Sequence, residues 1–228
     1  MDDYGPLSAL LVESKAGFGE KFLKALSKAG IKASSRLKNL PNRGETGGKV
    51  VYSIRHNIDE LLVPMMKESD NIYAECLFYQ TAATTGKKWA GRKEGAQRTE
   101  ELLEAIGLDA TQYRIADGSG LSLYNYVSAE MLVGLLRYAL RTDSIREHLL
   151  PSLPISGIDG TLEKRMQDTE AQGNVRAKTG TVTGVSSLAG YLTAANGHTI
   201  VFAIINQGIP SASVGRAFQN QVCQELCK

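Results

Sequence analysis

The sequence lacks the features of several large classes of protein. Its three cysteines and three histidines show no spacing typical of a metal site or of a disulfide framework. Although Cys223 and Cys227 are spaced to share one helix face, we interpret them as small apolar residues. Lysine and arginine, 26 in all, nearly balance 24 aspartates and glutamates, and no stretch is strongly basic. The sequence therefore predicts no metal site and no nucleic acid partner.

Long apolar segments are also missing. No run of hydrophobic residues approaches the length of a transmembrane span. The acidic start of the chain, residues 1–17, has neither the basic nor the apolar region of a signal peptide. Hydrophobic residues still make up 43% of the 228 positions, which is enough to build the core of one large domain or two small ones. We expect a globular protein without a transmembrane segment.

The spacing of apolar residues predicts helices over most of the chain. One is expected over residues 17–29, with Gly30 as its natural end, and others before Gly107 and after the N-cap Ser128. The remaining predicted elements are a helix from Ile58 that Pro64 kinks or ends, a helix from Asp70 or Asn71, and a short strand over IKASSRL, residues 31–37.

Strands are predicted near the end of the chain. The segments on either side of Asn196 and Gly197 read as two strands, and this dipeptide favours a two-residue hairpin turn. With the strand that contains Lys178, they predict an antiparallel sheet. Apolar residues at intervals of four over residues 212–227 predict a helix that covers one face of this sheet. The expected fold class is therefore α+β.

Lys178, Thr179 and Gly180 stand at the head of a strand that otherwise reads as core. An ammonium group and a hydroxyl group can hold a carboxylate, and a glycine lets a substrate backbone approach the strand closely. By average composition, such a tripeptide arises by chance in roughly one chain in twenty of this size. A second motif is needed to support a binding site here.

Ser69-Asp70-Asn71 lies at the junction of two predicted helices, where side chains are easily presented to a cleft. A serine or asparagine at such a junction is also typical of helix capping. The two motifs together are more informative, because Ser-x-x-Lys, Ser-Asp-Asn and Lys-Thr-Gly are the signatures of penicillin-binding proteins and class A β-lactamases. The second and third occur here in that order, 109 residues apart.

The sequence resembles the penicillin-binding protein 4 type of D-alanyl-D-alanine carboxypeptidases and endopeptidases, the S13 serine peptidases. The resemblance rests on MMKESDNIYAE, ADGSGLSLYNYVSA, LPISGIDGTLEKRM and RAKTGTVTGVSSLAGY, which occur in the family's order, and it covers the chain from about Gly17 onward. It implies a β-lactamase/transpeptidase-like fold and an enzyme that hydrolyses peptidoglycan stem peptides and is acylated by penicillins and other β-lactams. It also implies a periplasmic or extracytoplasmic location and no metal or organic cofactor.

The resemblance also implies roles for individual residues. Ser69 matches the serine that helps pass a proton to the leaving amine, and Asn71 matches the asparagine that orients the peptide group of the substrate. Lys178 and Thr179 match the residues that hold the carboxylate of a D-Ala-D-Ala peptide or a penicillin. Thr181 matches the residue whose backbone N–H contributes to the oxyanion hole. These residues and Gly180 form the expected site.

Two glycine-rich segments belong to the resemblance without an assigned role. They are DGSGLS, Asp117 to Ser122, and SGIDGT, Ser156 to Thr161. Direct contact with substrate is one interpretation of both. We favour the other, in which each is a structural turn.

The nucleophile of this chemistry is not found where the resemblance requires it. An acylated serine needs a lysine one helical turn on, as in Ser-x-x-Lys at the start of a helix. The one match, Ser35 to Lys38, lies in a predicted strand, so it stays outside the catalytic set. We expect the chain to be the C-terminal portion of a longer protein, incomplete at its N-terminus and inactive alone. Residues 1–50 would be the tail of an inserted region, and residues 51–228 the C-terminal part of the penicillin-binding domain.

Two other functions are compatible with the motifs. A non-catalytic module that binds peptidoglycan peptides would keep the carboxylate site of Lys178 and Thr179 without acylation. A class A β-lactamase would need a deacylating glutamate, and the one Glu-x-x-x-Asn match, Glu170 to Asn174, immediately precedes the Lys178 strand rather than lying in a loop of its own. The choice between carboxypeptidase and endopeptidase, and the oligomeric state, stay open at this point.

Overall fold

The computed structural model describes residues 16–33 and 55–228, and the chain divides into two units after residue 53. The described part of the first unit is a helix, α1, Ala16–Lys28, as predicted. It ends where Gly30 adopts a positive φ of 74°, a conformation that glycine reaches without strain. Residues 31–33 form no strand, and the rest of the predicted strand, including Ser35 and Lys38, lies outside the described residues. The assignment of residues 1–50 to an inserted region stays a prediction.

The second unit contains six helices and a sheet in its described residues. The helices predicted from Ile58, from Asp70 or Asn71, before Gly107, after Ser128 and at the C-terminus are all present. The α-helices are α2, Ile58–Lys67; α3, Asn71–Ala83; α4, Arg92–Ala105; α5, Ala129–Arg141; α6, Asp143–Ser152; and α7, Ala212–Cys227. Single 3-10 turns occur at Ala110–Gln112 and Gly160–Leu162. Helix α6 was not predicted, and no helix in the described ranges is long and apolar enough to cross a membrane.

Three strands form an antiparallel sheet in the order β1, β2, β3. Their bounds are β1, Arg176–Val182; β2, Val185–Thr193; and β3, Thr199–Gln207. The predicted two-residue hairpin turn between β2 and β3 is wrong in length, since five residues separate Thr193 from Thr199. Gly197 has a φ of 81°, and its N–H donates to the carbonyl oxygen of Ala194 at 2.8 Å, so the glycine closes a longer turn.

Helices pack on both faces of this sheet, which confirms the α+β fold class. On one face, α7 places Cys223 and Cys227 against a core that includes Ala177, Leu188 and Phe202. On the opposite face lies α5, whose Leu136 carbonyl oxygen accepts a hydrogen bond from the hydroxyl of Tyr191 at 2.8 Å. The two buried cysteines are part of the apolar core, as the sequence suggested.

The outer edge of β1 is covered along only part of its length. The N–H of Ala177 donates to the carbonyl oxygen of Pro154 at 3.0 Å, so it points away from β2. Backbone groups in a strand alternate in direction, and the N–H groups of Thr179 and Thr181 therefore point to the same outer edge. The connection at Pro154 to Ser156 covers the first part of this edge. The second part borders a cleft.

Candidate active site

Ser69 occupies the tight junction between α2 and α3. The N–H of Asp70 donates to the carbonyl oxygen of Met65 at 3.1 Å, which is the Schellman bond that closes a helix. Ser69 stands at the position of this motif that glycine usually fills, and its φ is 58°. The Asp70 carboxylate then caps α3 by accepting hydrogen bonds from the N–H groups of Ile72 and Tyr73, at 2.8 and 3.1 Å. Within this motif, capping is the role of the aspartate, while the serine is held in a strained conformation.

Lys178 reaches Ser69 across the cleft. Its ammonium group donates to the hydroxyl oxygen of Ser69 at 2.6 Å and to the carbonyl oxygen of Thr179 at 2.9 Å. Among the described residues no carboxylate lies within ion-pair distance of this ammonium group. Burial lowers the pKa of Lys178, because desolvation disfavours its charged form. The two signature motifs are therefore joined by one short hydrogen bond.

The six residues of the expected site line one cleft, with a volume of about 650 Å³. The cleft runs between the α2–α3 junction and the outer edge of β1. No hydrogen bond to the Asn71 side chain is found in the described part of the chain, which leaves its amide available to a ligand. The structure thus brings together all of the expected residues, namely Ser69, Asn71, Lys178, Thr179, Gly180 and Thr181.

Strand alternation separates the side chains of β1. Lys178 lies on the face that carries Tyr191, towards α5, whereas Thr179 and Thr181 lie on the face that α7 covers. The hydroxyl of Thr179 donates to that of Thr161 at 3.0 Å. Lys178 and Thr179 are therefore adjacent in sequence but do not point in the same direction, and each has a partner of its own.

Gly180 has a packing requirement that the sequence did not suggest. A Cβ atom at this position would collide with the hydroxyl oxygen of Ser187, its partner on β2. The Ser187 side chain thus occupies the space that a side chain on Gly180 would need. The close approach of a substrate backbone stays a prediction for this residue, and the neighbouring strand supplies a sufficient reason for glycine.

The Ser156 to Thr161 segment packs against the end of α2, at one side of the cleft. The Asp159 carboxylate accepts hydrogen bonds from the ammonium group of Lys67 at 2.7 and 2.8 Å. Gly160 has a φ of 55°, and a Cβ atom there would lie 2.7 Å from the carbonyl oxygen of Lys67. The segment therefore holds the end of α2, immediately before Ser69. Thr161 alone of these residues lines the cleft.

The Asp117 to Ser122 segment is a turn closed by its own aspartate. The Asp117 carboxylate accepts hydrogen bonds from the N–H groups of Gly120 and Ser122, at 2.8 and 2.7 Å. Gly118 packs so tightly on α3 that a Cβ atom there would lie 2.6 Å from the carbonyl oxygen of Ala74. The segment is structural and also lines the cleft, through Ser119, Gly120 and Leu121.

Sequence reasoning missed two arginines that line the cleft, Arg165 and Arg216. Arg165 is only 8% exposed, and its guanidinium donates to the side-chain oxygens of Asn220 and Gln219 at 2.7 and 3.1 Å. Its Nη1 atom is buried without a partner in the described part of the chain. Burial, with a smaller contribution from the nearby charge of Arg216, lowers the pKa of Arg165 to about 10. Arg165 falls within LPISGIDGTLEKRM, but nothing in that segment marked it as a cleft residue.

Comparison with known sequences decides the family. The sequence profile described as "D-Ala-D-Ala carboxypeptidase 3 (S13) family" matches residues 5–227. The chain belongs to this family. A D-alanyl-D-alanine carboxypeptidase of Actinomadura sp. (strain R39) is 35% identical over 218 residues, which cover 90% of this chain and 39% of that protein. The resemblance in the motifs is thereby confirmed.

Solved structures agree with the fold. Penicillin binding protein 4 of Haemophilus influenzae, crystallised with a β-lactam, is 30% identical and superposes with a TM-score of 0.74, covering 90% of this chain and 48% of that one. The TLA-3 extended-spectrum β-lactamase, 16% identical with a TM-score of 0.55 over 75% of this chain and 64% of that one, shares the fold alone. The predicted β-lactamase-like fold is confirmed. The chain spans about two fifths of the length of the curated relatives that it matches.

Proposed function

We propose that this chain forms the substrate-recognition side of a serine-type D-Ala-D-Ala carboxypeptidase or endopeptidase that acts on peptidoglycan stem peptides outside the cytoplasmic membrane. The observation that carries the proposal is the 2.6 Å hydrogen bond between Lys178 and Ser69 in the cleft that also holds Asn71. Membership of the S13 family and the names of the relatives support this substrate class.

The contact between Lys178 and Ser69 suits proton delivery to a leaving amine. The Ser69 oxygen accepts from the lysine ammonium, so the serine O–H is free to point towards a peptide nitrogen in the cleft. In this role, Ser69 gives its proton to the departing amine and receives one from Lys178, which becomes neutral. A lowered lysine pKa favours that transfer, because the ammonium group becomes a stronger acid.

The outer edge of β1 suits the binding of a peptide carbonyl and its neighbours. The N–H groups of Thr179 and Thr181 point away from β2 towards the cleft, where they can donate to an acceptor on a ligand. We assign the N–H of Thr181 to the developing oxyanion and the Asn71 amide to the substrate peptide group. Both assignments follow the family motif and the placement of these residues in one cleft.

We further propose that the chain is not acylated by penicillin on its own. The sequence contains one Ser-x-x-Lys match, Ser35 to Lys38, and we place it outside the catalytic set. The chain would then bind D-Ala-D-Ala peptides and β-lactams reversibly through the Lys178 side of the cleft.

Intact-mass spectrometry after incubation with excess benzylpenicillin tests this proposal, together with calorimetric binding of a peptide that ends in D-Ala-D-Ala. We expect no mass increase and measurable peptide binding that Asn71→Ala weakens. A matched control, Asn174→Ala, changes an asparagine outside the cleft. A mass increase of one penicillin would show that the chain contains the nucleophile, with Ser35 as the first candidate. Absence of both acylation and binding would overturn the proposed function.

A further inference from the structure

Two arginines lie at the end of the cleft where α7 begins. Arg216 is in the second turn of α7, is exposed and lines the cleft beside Thr179 and Thr181. Arg165 lies next to it, and its Nη2 atom is 3.4 Å from the carbonyl oxygen of Arg216. Among the described residues, no aspartate or glutamate lies within ion-pair distance of either guanidinium group. This end of the cleft therefore carries uncompensated positive charge.

The direction of the β1 side chains determines which cation an anion on this side would meet. The hydroxyl groups of Thr179 and Thr181 lie on the face that α7 covers, whereas Lys178 lies on the opposite face and already donates to Ser69. A carboxylate held by the threonine hydroxyls would thus lie on the side of Arg216. The planar guanidinium group of an arginine can donate two parallel N–H hydrogen bonds, so it also matches the two oxygens of a carboxylate better than an ammonium group does.

The base of α7 is fixed firmly enough to present Arg216. Gly215 packs on β2 so closely that a Cβ atom there would lie 2.8 Å from the Cβ atom of Ser186. Gln219, fully buried one turn later, donates to the hydroxyl of Ser186 at 3.1 Å and accepts from Arg165 at 3.1 Å. Arg165 thus links the cleft floor to α7 through amide groups rather than through a carboxylate, so its charge is not neutralised.

We propose that Arg216 is the residue that pairs with the carboxylate on the leaving-group side of the scissile bond. The inference rests on the proposed function and deepens it. It assigns the charged part of carboxylate recognition to Arg216, whereas Lys178 serves Ser69. The preferred ligand is then a peptide whose terminal carboxylate is free.

Calorimetric titration with two peptides tests this assignment on the full chain. The peptides share one sequence that ends in D-Ala-D-Ala, and one has a free C-terminal carboxylate while the other has a C-terminal amide. We expect wild-type chain to prefer the acid over the amide by about tenfold or more, the value of a charge-assisted hydrogen bond. Arg216→Ala should abolish this preference, and Arg216→Lys should keep part of it.

A control variant separates local recognition from net charge. Arg137→Ala removes one exposed arginine from α5, outside the cleft, and should leave the preference for the acid intact. Retention of the full preference in Arg216→Ala would overturn the inference while leaving the proposed function standing. Failure of the wild-type chain to bind either peptide would overturn both. Because Arg216 is exposed, the variant should keep the wild-type melting temperature, and circular dichroism checks this.

Discussion

Two lysines on opposite sides of the Ser69 junction differ in what they contact. Lys67, at the end of α2, donates to both oxygens of the Asp159 carboxylate and to the carbonyl oxygen of Leu153, at 2.6 to 2.8 Å. Lys178 donates to a hydroxyl and to one carbonyl, and no carboxylate in the described residues balances its charge. The first lysine uses all three donors within the fold, whereas the second faces a cleft with its charge uncompensated.

The difference separates a structural lysine from a functional one. A partly buried ammonium group that is paired with a carboxylate stabilises the native chain, because removing either partner leaves an isolated charge. A buried ammonium group without a carboxylate costs stability, and proteins retain such strain chiefly at functional sites. Ser69 shows the same pattern, since its strained backbone conformation places its hydroxyl group in reach of Lys178.

The largest effect on stability should come from Lys67→Met. The variant leaves Asp159 without its partner, and we expect the free energy of unfolding to fall by about 2 kcal/mol, less than for a fully buried pair because the carboxylate is 38% exposed. Urea denaturation measures this. Lys87→Met, which breaks the contact of a more exposed lysine with Glu94, should cost less than Lys67→Met. Equal losses of unfolding free energy in the two variants would mean that the pairing of Lys67 with Asp159 stabilises the chain no more than the contact of Lys87 with Glu94 does.

Lys178→Met should weaken ligand binding without lowering stability. We expect the free energy of unfolding to stay unchanged or to rise, because an uncompensated buried charge is replaced by an apolar side chain of similar length. Affinity for a D-Ala-D-Ala peptide should fall about tenfold, because the ammonium group no longer holds Ser69 in place. Calorimetry and urea denaturation of the same sample check both expectations. A loss of stability comparable to that of Lys67→Met would mean that Lys178 is structural.

Ser69→Gly tests the strain at the junction. Glycine adopts the observed φ of 58° without strain, so we expect the free energy of unfolding to rise by about 0.5 to 1 kcal/mol. The hydroxyl acceptor of Lys178 is lost at the same time, so peptide binding should weaken. Ser69→Ala loses the same hydroxyl without relieving the backbone, and thermal melts of the two variants isolate the strain. A glycine variant less stable than the alanine variant would show that the backbone at Ser69 is not strained.

The smallest expected effect is a difference between Lys178→Met and the wild-type chain in how stability depends on pH. Burial lowers the pKa of Lys178 below its ordinary value of 10.5, so the folded chain binds fewer protons than the unfolded chain between these two pKa values. The lysine therefore destabilises the chain fully below its folded pKa, and this penalty disappears as the pH rises towards 10.5. The stability gap between Lys178→Met and wild type should be widest near neutral pH and narrow at alkaline pH. A gap that is constant with pH would contradict the lowered pKa.

The sequence predicted local features well and distant contacts poorly. Helix ends at Gly30, Ser128 and Asp70 follow from short-range rules, and the structure confirms them. Helix α6 escaped prediction because its apolar residues are few and Pro151 interrupts its last turn. The hairpin turn was predicted two residues long because Asn-Gly favours that length, although glycine fits a longer turn equally well.

In the candidate site, too, some features could be predicted from the sequence, whereas contacts between distant segments could not. Motif spacing was enough to place Ser69 and Lys178 in one cleft, although 109 residues separate them. The pairing of Lys67 with Asp159, the strained φ of Ser69 and the position of Arg216 all depend on how distant segments pack. Because successive side chains of a strand point to opposite faces, the sequence alone was enough to predict that Lys178 and Thr179 face different ways.

Amide NMR titration of the isotope-labelled chain with a peptide ending in D-Ala-D-Ala shows directly whether the cleft along β1 is the ligand site. We expect chemical-shift changes at the backbone amides of Thr179 and Thr181 and at the side-chain amide of Asn71. Lys178→Met should weaken the same changes. Shifts confined to residues outside this cleft, or no shifts at ligand excess, would mean that the cleft is not the ligand site.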